Sequence, residues 1–130
     1  MKYRNREFGF EIEYNKDNWE TEEITGQNSG IQLLNRHYLN DAPFLFIRGW
    51  YPPQIHENEE VIKKLGTIKI GKLTAKKRII RHQAFTRPLE IFLNFKDFGV
   101  QFLFTGRARK DEEKEFEDIA KSFRLIHEKG

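Results

Sequence analysis

The chain has 130 residues, 38% of them hydrophobic and 33% charged, with a formal net charge of +3, which suits one domain over residues 1–130 with a core of its own. It contains no Cys, so disulfide frameworks, thiolate catalysis and Cys-ligated metals are excluded. No apolar run reaches the roughly 18 residues of a membrane-spanning helix and no apolar h-region follows the first Met, so the chain as written reads as cytoplasmic, the alternative being an exported lipoprotein domain whose leader has been removed.

Phe8, Phe10, Ile12 and Tyr14 alternate with Gly9, Glu11 and Glu13, the period of a strand with one buried face. The polar stretch 15–30, broken by Trp19 and Ile24, has turn residues at both ends and leaves room for at most a short irregular strand. Residues 31–34 and 44–51 follow as strands, the second apolar at odd and even positions, as in a central strand covered on both faces. Pro52 and Pro53 end it.

Asn58 then caps a helix of about two turns with Val61, Ile62 and Leu65 on one side, Glu59 and Glu60 at its positive end, and Gly66 as the stop. Four strand-like runs come next, over residues 67–71, 73–81, 90–95 and 100–105. Ile91, Leu93 and Phe95 share one face, as do Val100, Phe102 and Phe104, and Lys96, Asp97, Phe98 and Gly99 form the hairpin turn between them. The last segment is an amphipathic helix: Asp111 as cap, Glu112 and Glu113 in the first turn, then Phe116, Ile119, Ala120 and Phe123 at i, i+3, i+4 and i+7. Strands, a short helix, antiparallel strands and a long helix make an α+β sandwich, not the βα alternation of a parallel nucleotide-binding sheet.

Three stretches carry a family resemblance. The opening YRNREFGFEIEYNKDNW is similar to the N-terminal strand, turn and Trp of the PsbP-like family, IKIGKLTAKKRIIR to its strand, Gly turn and small-residue strand, and EKEFEDIAKSFRLI to its final helix ending in Ser-Phe. The resemblance covers nearly the whole chain and implies a curved antiparallel β-sheet with helices packed on its faces, an α/β/α sandwich. It also implies the range of roles its relatives fill: an accessory subunit of photosystem II, a Ran-binding import factor and bacterial lipoproteins. Asn15 stands where relatives often place Pro before the Trp, and the lipid-bearing Cys is missing.

The motifs of the resemblance are core aromatics and a helix stop, so they bear on fold and not on activity. The four His residues, His37, His56, His82 and His127, show no HxH, HxxxH or HExxH spacing, which argues against a metal site. Ser29 reads as a turn residue and Ser122 as a helix-stop hydroxyl, neither lies in GxSxG, and no phosphate-binding glycine loop occurs. No enzyme activity and no cofactor are expected; a hydrolase is a third reading without a motif behind it.

Charge is unevenly spread. Residues 61–105 carry 10 Lys/Arg against 2 Asp/Glu, whereas residues 1–60 carry 6 against 11. The basic block Lys69, Lys72, Lys76, Lys77, Arg78, Arg81, His82 and Arg87 is a candidate contact surface for an acidic protein. Nucleic acid is disfavoured because the aromatics follow core periodicity and are not left beside the cations to stack bases. Trp50 and Tyr51, where a strand leaves the sheet ahead of Pro52 and Pro53, are candidates for an aromatic binding rim. The leading function is therefore a non-catalytic binding or accessory module; the alternative is a small apolar-ligand carrier with its pocket between sheet and helix, which the 12 Phe, 4 Tyr and 2 Trp would permit.

Overall fold

The computed structural model describes residues 1–35, 44–51, 61–81, 88–105 and 110–126. The expected opening strand is a hairpin: β1 (Lys2–Asn5) pairs antiparallel with β2 (Phe10–Glu13). Phe8 falls in the connecting turn, which Asn5 organises by accepting at Oδ1 from Phe8 N at 3.0 Å and at its carbonyl from Gly9 N at 2.9 Å. On the free side of β2 lies β10 (Arg124–Leu125), with Arg124 opposite Glu11 and Leu125 opposite Phe10. The two chain ends thus share a three-stranded sheet, β1-β2-β10.

The remaining strands are β3 (Trp19–Ile24), β4 (Gly30–Asn35), β5 (Phe44–Trp50), β6 (Val61–Ile70), β7 (Leu73–Ile80), β8 (Leu89–Asn94) and β9 (Gly99–Phe104). They form one antiparallel sheet in the order β3-β4-β5-β9-β8-β7-β6. The expected β8–β9 hairpin is present, with Ile91 opposite Phe102 and Leu93 opposite Val100. β5 is interior, between β4 and β9, but the middle strand buried along its whole length is β9.

Two expectations are corrected. The polar stretch after Asn15 holds a regular six-residue strand, β3, in full register with β4; four of its side chains are exposed, so an edge strand carries no apolar alternation to read. Val61, Ile62 and Leu65 lie in strand β6, not in a helix. Non-local pairing with β7, Val61 opposite Ile80, outweighs local helix signals. Gly66, expected as a helix stop, sits at φ +86° where the β6–β7 register shifts between Lys64 and Thr67, a bulge geometry. Pro52, Pro53, Asn58, Glu59 and Glu60 lie outside the described residues.

The C-terminal helix is α1 (Lys110–Lys121), which begins one residue before Asp111 and so places Asp111 in its first turn. Its stop is as expected: Ser122 Oγ donates to Ile119 O at 2.5 Å and accepts from Glu13 N at 2.8 Å, joining the helix end to β2. Phe116, Ile119, Ala120 and Phe123 are all buried. Among the described residues there is this one helix, so helices on both faces of the sheet are not what they form; α1 and the three-stranded sheet share one face.

The alternation of each strand defines that face. Trp19, Ile31, Leu33, Leu45, Ile47, Ala75, Ile91, Leu93, Val100, Phe102 and Phe104 join Phe116, Ile119 and Ala120 of the helix, Phe123 just after it, Tyr3, Phe10 and Ile12 of the small sheet and Phe8 of its turn in one core. Phe104 meets Phe116 edge-on at 5.2 Å between centroids, and Phe123 lies 5.2 Å from Phe10 and 6.0 Å from Phe102, so rings fill the space between sheet and helix. The opposite face carries Arg48, Trp50, Arg78, Glu90, Phe92, Gln101 and Leu103, partners in register across β5, β9, β8 and β7.

Candidate functional site

A strand sends successive side chains to opposite faces, so the basic block does not form one patch. Lys77 shares a face with Ala75 and lies beneath α1. Its ammonium donates to Glu113 Oε1 at 3.2 Å and pairs with Glu117, and its side chain is 16% exposed. Burial pushes the Lys77 ammonium down, but the hydrogen bonds and charges of Glu117 and Glu113 outweigh it and hold it above its ordinary value.

Arg78 points the other way and is also buried. Its Nε donates to Glu90 Oε1 at 2.5 Å, Gln101 Nε2 donates to Glu90 Oε2 at 2.6 Å, and Trp50 Nε1 donates to Gln101 Oε1 at 3.3 Å. The guanidinium of Arg48 lies 4.6 Å from the Trp50 ring centre, a cation–π stack, and donates from Nε to Asn28 O at 2.8 Å. Trp50 and Arg78, separate candidates in the sequence, therefore belong to one polar band across β5, β9, β8 and β7. Such a satisfied network fixes register and presents little surface to a partner.

Tyr51, 40% exposed, stacks on Phe8 at 4.6 Å and leans on Phe98 at 6.4 Å. Trp50 and Tyr51 thus part company, and no shared aromatic rim forms from them. Burial pushes the Tyr51 phenol above its ordinary value, and the Glu7 and Asp97 carboxylates add to that.

What remains at the surface is the two-stranded arm β6–β7. Lys63, Lys64, Lys69, Lys72 and Lys76 are exposed, and Lys69 donates to Thr74 Oγ1 at 2.8 Å. Among the described residues Lys63, Lys64, Lys72 and Lys76 pair with no carboxylate. On the face turned away from α1, Lys64 stands opposite Arg78, Thr67 opposite Lys76, and Lys69 opposite Thr74. β6 is the end of the sheet, so this lysine row runs along an edge. Lys63 and Lys64 were hidden in the sequence by the helix reading; the absence of any Asp or Glu from residue 61 to 81 was the available signal. Arg81 is exposed at the end of β7, and His82 and Arg87 lie outside the described residues.

A second cluster sits on the three-stranded sheet. The Glu11 side chain, 4% exposed, lies between Arg4 of β1 and Arg124 of β10: Arg4 donates from Nε at 3.3 Å and Nη2 at 3.2 Å to Oε2, and Arg124 donates to Oε1. Burial pushes the Glu11 carboxyl up, but the hydrogen bonds of Arg124 and Arg4 overcome it and hold it below the usual carboxylate range. The clamp is not legible in the sequence because Arg124 is separated from Glu11 by most of the chain.

His37, His56, His82 and His127 lie outside the described residues, and among those described no three His, Asp or Glu side chains gather as metal ligands. No helix among them is long and apolar enough to cross a membrane. Ser29, expected in a turn, precedes β4 and donates from Oγ to Glu7 Oε1 at 2.6 Å, while Asn5 Nδ2 donates to its carbonyl at 3.2 Å.

The arrangement of strands and helix has counterparts among solved structures. The solution structure of cyanobacterial PsbP (CyanoP) from Synechocystis sp. PCC 6803 superposes with a TM-score of 0.61 at 13% identity, over 97% of this chain and 92% of that one. The fold is PsbP-like. A crystal structure from Bacteroides thetaiotaomicron matches the PsbP-like chain with a TM-score of 0.61 at 12% identity, over 99% of this chain, which spans about half, 49%, of that longer protein. No family model matches the sequence, and no curated protein does. At these identities the likeness concerns the fold, and the surface lysines belong to this chain's own chemistry.

Proposed function

We propose that this chain is a non-catalytic binding module that captures an acidic protein through the lysines of the β6–β7 arm. One observation carries the reading: Lys63, Lys64, Lys69, Lys72 and Lys76 stay exposed on an edge hairpin whose two strands contain no carboxylate. Lys77 and Arg78 are spent on Glu113, Glu117 and Glu90 and leave this surface. Neighbouring positions across and along the hairpin lie within about a Debye length at physiological salt, so their fields add and steer an anionic partner.

A protein partner is favoured over nucleic acid because residues 61–81 contain no Phe, Tyr or Trp, leaving the arm without a platform on which bases stack. Accessory roles among proteins of this fold agree with a contact-making function.

The test uses fluorescently labelled poly-L-glutamate and single-stranded DNA of equal charge as probes. The chain binds poly-glutamate with an affinity that falls as salt rises, and reversing Lys64, Lys69 and Lys76 together to Glu lowers it at least about tenfold with the fold intact. Unchanged binding by that variant removes the arm from the account, and equal binding of DNA removes the preference for protein.

A further inference from the structure

Between the three-stranded sheet and the tip of the β6–β7 arm lies an open groove of about 610 Å³, within the size range of small-molecule sites. Its walls are apolar: Leu73, Leu125 and Ile126 are half-buried there, with Ile70 and Phe123 buried behind them. Its rim is basic, carrying Arg4, Arg124 and Lys72.

We propose that this groove binds a single-chain anionic amphiphile of the fatty-acid class, with its carboxylate on the rim and its hydrocarbon tail along Leu73, Leu125 and Ile126. Glu11 holds both guanidinium groups in place but offsets one charge, so the lining has three cations against one carboxylate. Both arginines remain open to solvent, Arg4 at 58% and Arg124 at 62% of the side chain, and the planar fork of each suits a second carboxylate. A bare anion would gain nothing from the apolar walls, a neutral chain would leave the excess positive charge of the rim unanswered, and a cationic head would be repelled. The groove is independent of the acidic-protein reading except for Lys72, which both sites share.

Amide chemical-shift titration of the whole chain tests this with four probes: decanoate, decanol, decyltrimethylammonium and acetate. Decanoate shifts the amides of Ile70, Gly71, Lys72, Leu73, Leu125 and Ile126, decanol binds at least about fivefold more weakly, and the other two leave these amides unmoved. Lys72→Glu weakens decanoate about fivefold, and Leu73→Asn weakens it through the tail without altering the rim. The proposal is overturned if decanoate leaves the groove amides unmoved, or if decanol or decyltrimethylammonium binds as well as decanoate. It is overturned too if poly-glutamate moves those amides and decanoate does not, which would assign the groove to the protein partner.

Discussion

The indole Nε1 of Trp19 donates to Glu115 Oε1 at 2.7 Å, tying the first residue of edge strand β3 to the middle of α1. Asn18 Nδ2 donates to the same oxygen at 3.1 Å. Lys77 holds the helix to β7, the strand next to the opposite edge, so α1 is pinned toward both ends of the seven-stranded sheet. Trp19 is 2% exposed, and removing its acceptor leaves a buried donor unsatisfied. Glu115→Ala should cost about 1–3 kcal/mol, seen as a lower urea midpoint at unchanged slope. Glu115→Gln, which keeps an acceptor oxygen, recovers most of that; an alanine variant with the parental midpoint would show that the bond contributes nothing to stability.

The Glu11 clamp makes stability depend on acid. Its carboxyl is held below its unfolded value, so folding favours the charged form. That stabilisation is fully present above the unfolded carboxylate value of about 4.3 and drains away as pH falls through the lower folded value. Glu7 is displaced in the same direction: burial pushes it up, and hydrogen bonds from Ser29 and Asn28 more than reverse this. Thermal melts in a pH series should fall steeply below about pH 4.3. Glu11→Gln should melt lower at neutral pH and respond less to acid, and a variant with the parental acid limb would contradict the clamp.

Gly49 is a contact requirement and not a matter of backbone freedom. A Cβ placed there would lie 2.2 Å from Phe8 Cδ2, while Phe8 is itself wedged against Tyr51 and Phe98. Gly49→Ala should therefore destabilise by about 1–3 kcal/mol. Combined with Phe8→Leu, the two changes should cost less than their separate effects summed, a coupling measurable by denaturant titration. Strict additivity would mean that the first turn and β5 do not press on each other.

The parts of the fold legible in the sequence were those whose signal is local. The β8–β9 hairpin shows itself in Ile91, Leu93, Val100 and Phe102, and α1 in Phe116, Ile119 and Ala120, because each buries one regular face. β3 escaped because Glu20, Thr21, Glu22 and Glu23 face water, and β6 because Val61, Ile62 and Leu65 satisfy a helix period as well as a strand. The pairing of β10 with β2 escaped because Arg124 meets Glu11 across most of the chain. For the site, the cluster of lysines was readable, and strand alternation already separates Lys76 from Lys77. Which of the two lies under the helix depends on the pairing of Lys77 with Ile91, a register that the spacing of residues cannot supply.

That separation offers the most direct measurement of the central claim. Lys76→Glu and Lys77→Glu change the net charge equally at adjacent positions, so any difference between them reports location alone. Affinity for poly-glutamate and melting temperature are measured for both. The account predicts that Lys76→Glu loses affinity about fivefold and melts as the parent does, whereas Lys77→Glu keeps its affinity while folded and melts at least about 3–5 °C lower, with three carboxylates forced together beneath α1. If Lys77→Glu loses as much affinity as Lys76→Glu, or if Lys76→Glu binds like the parent, the lysine arm is not the contact surface.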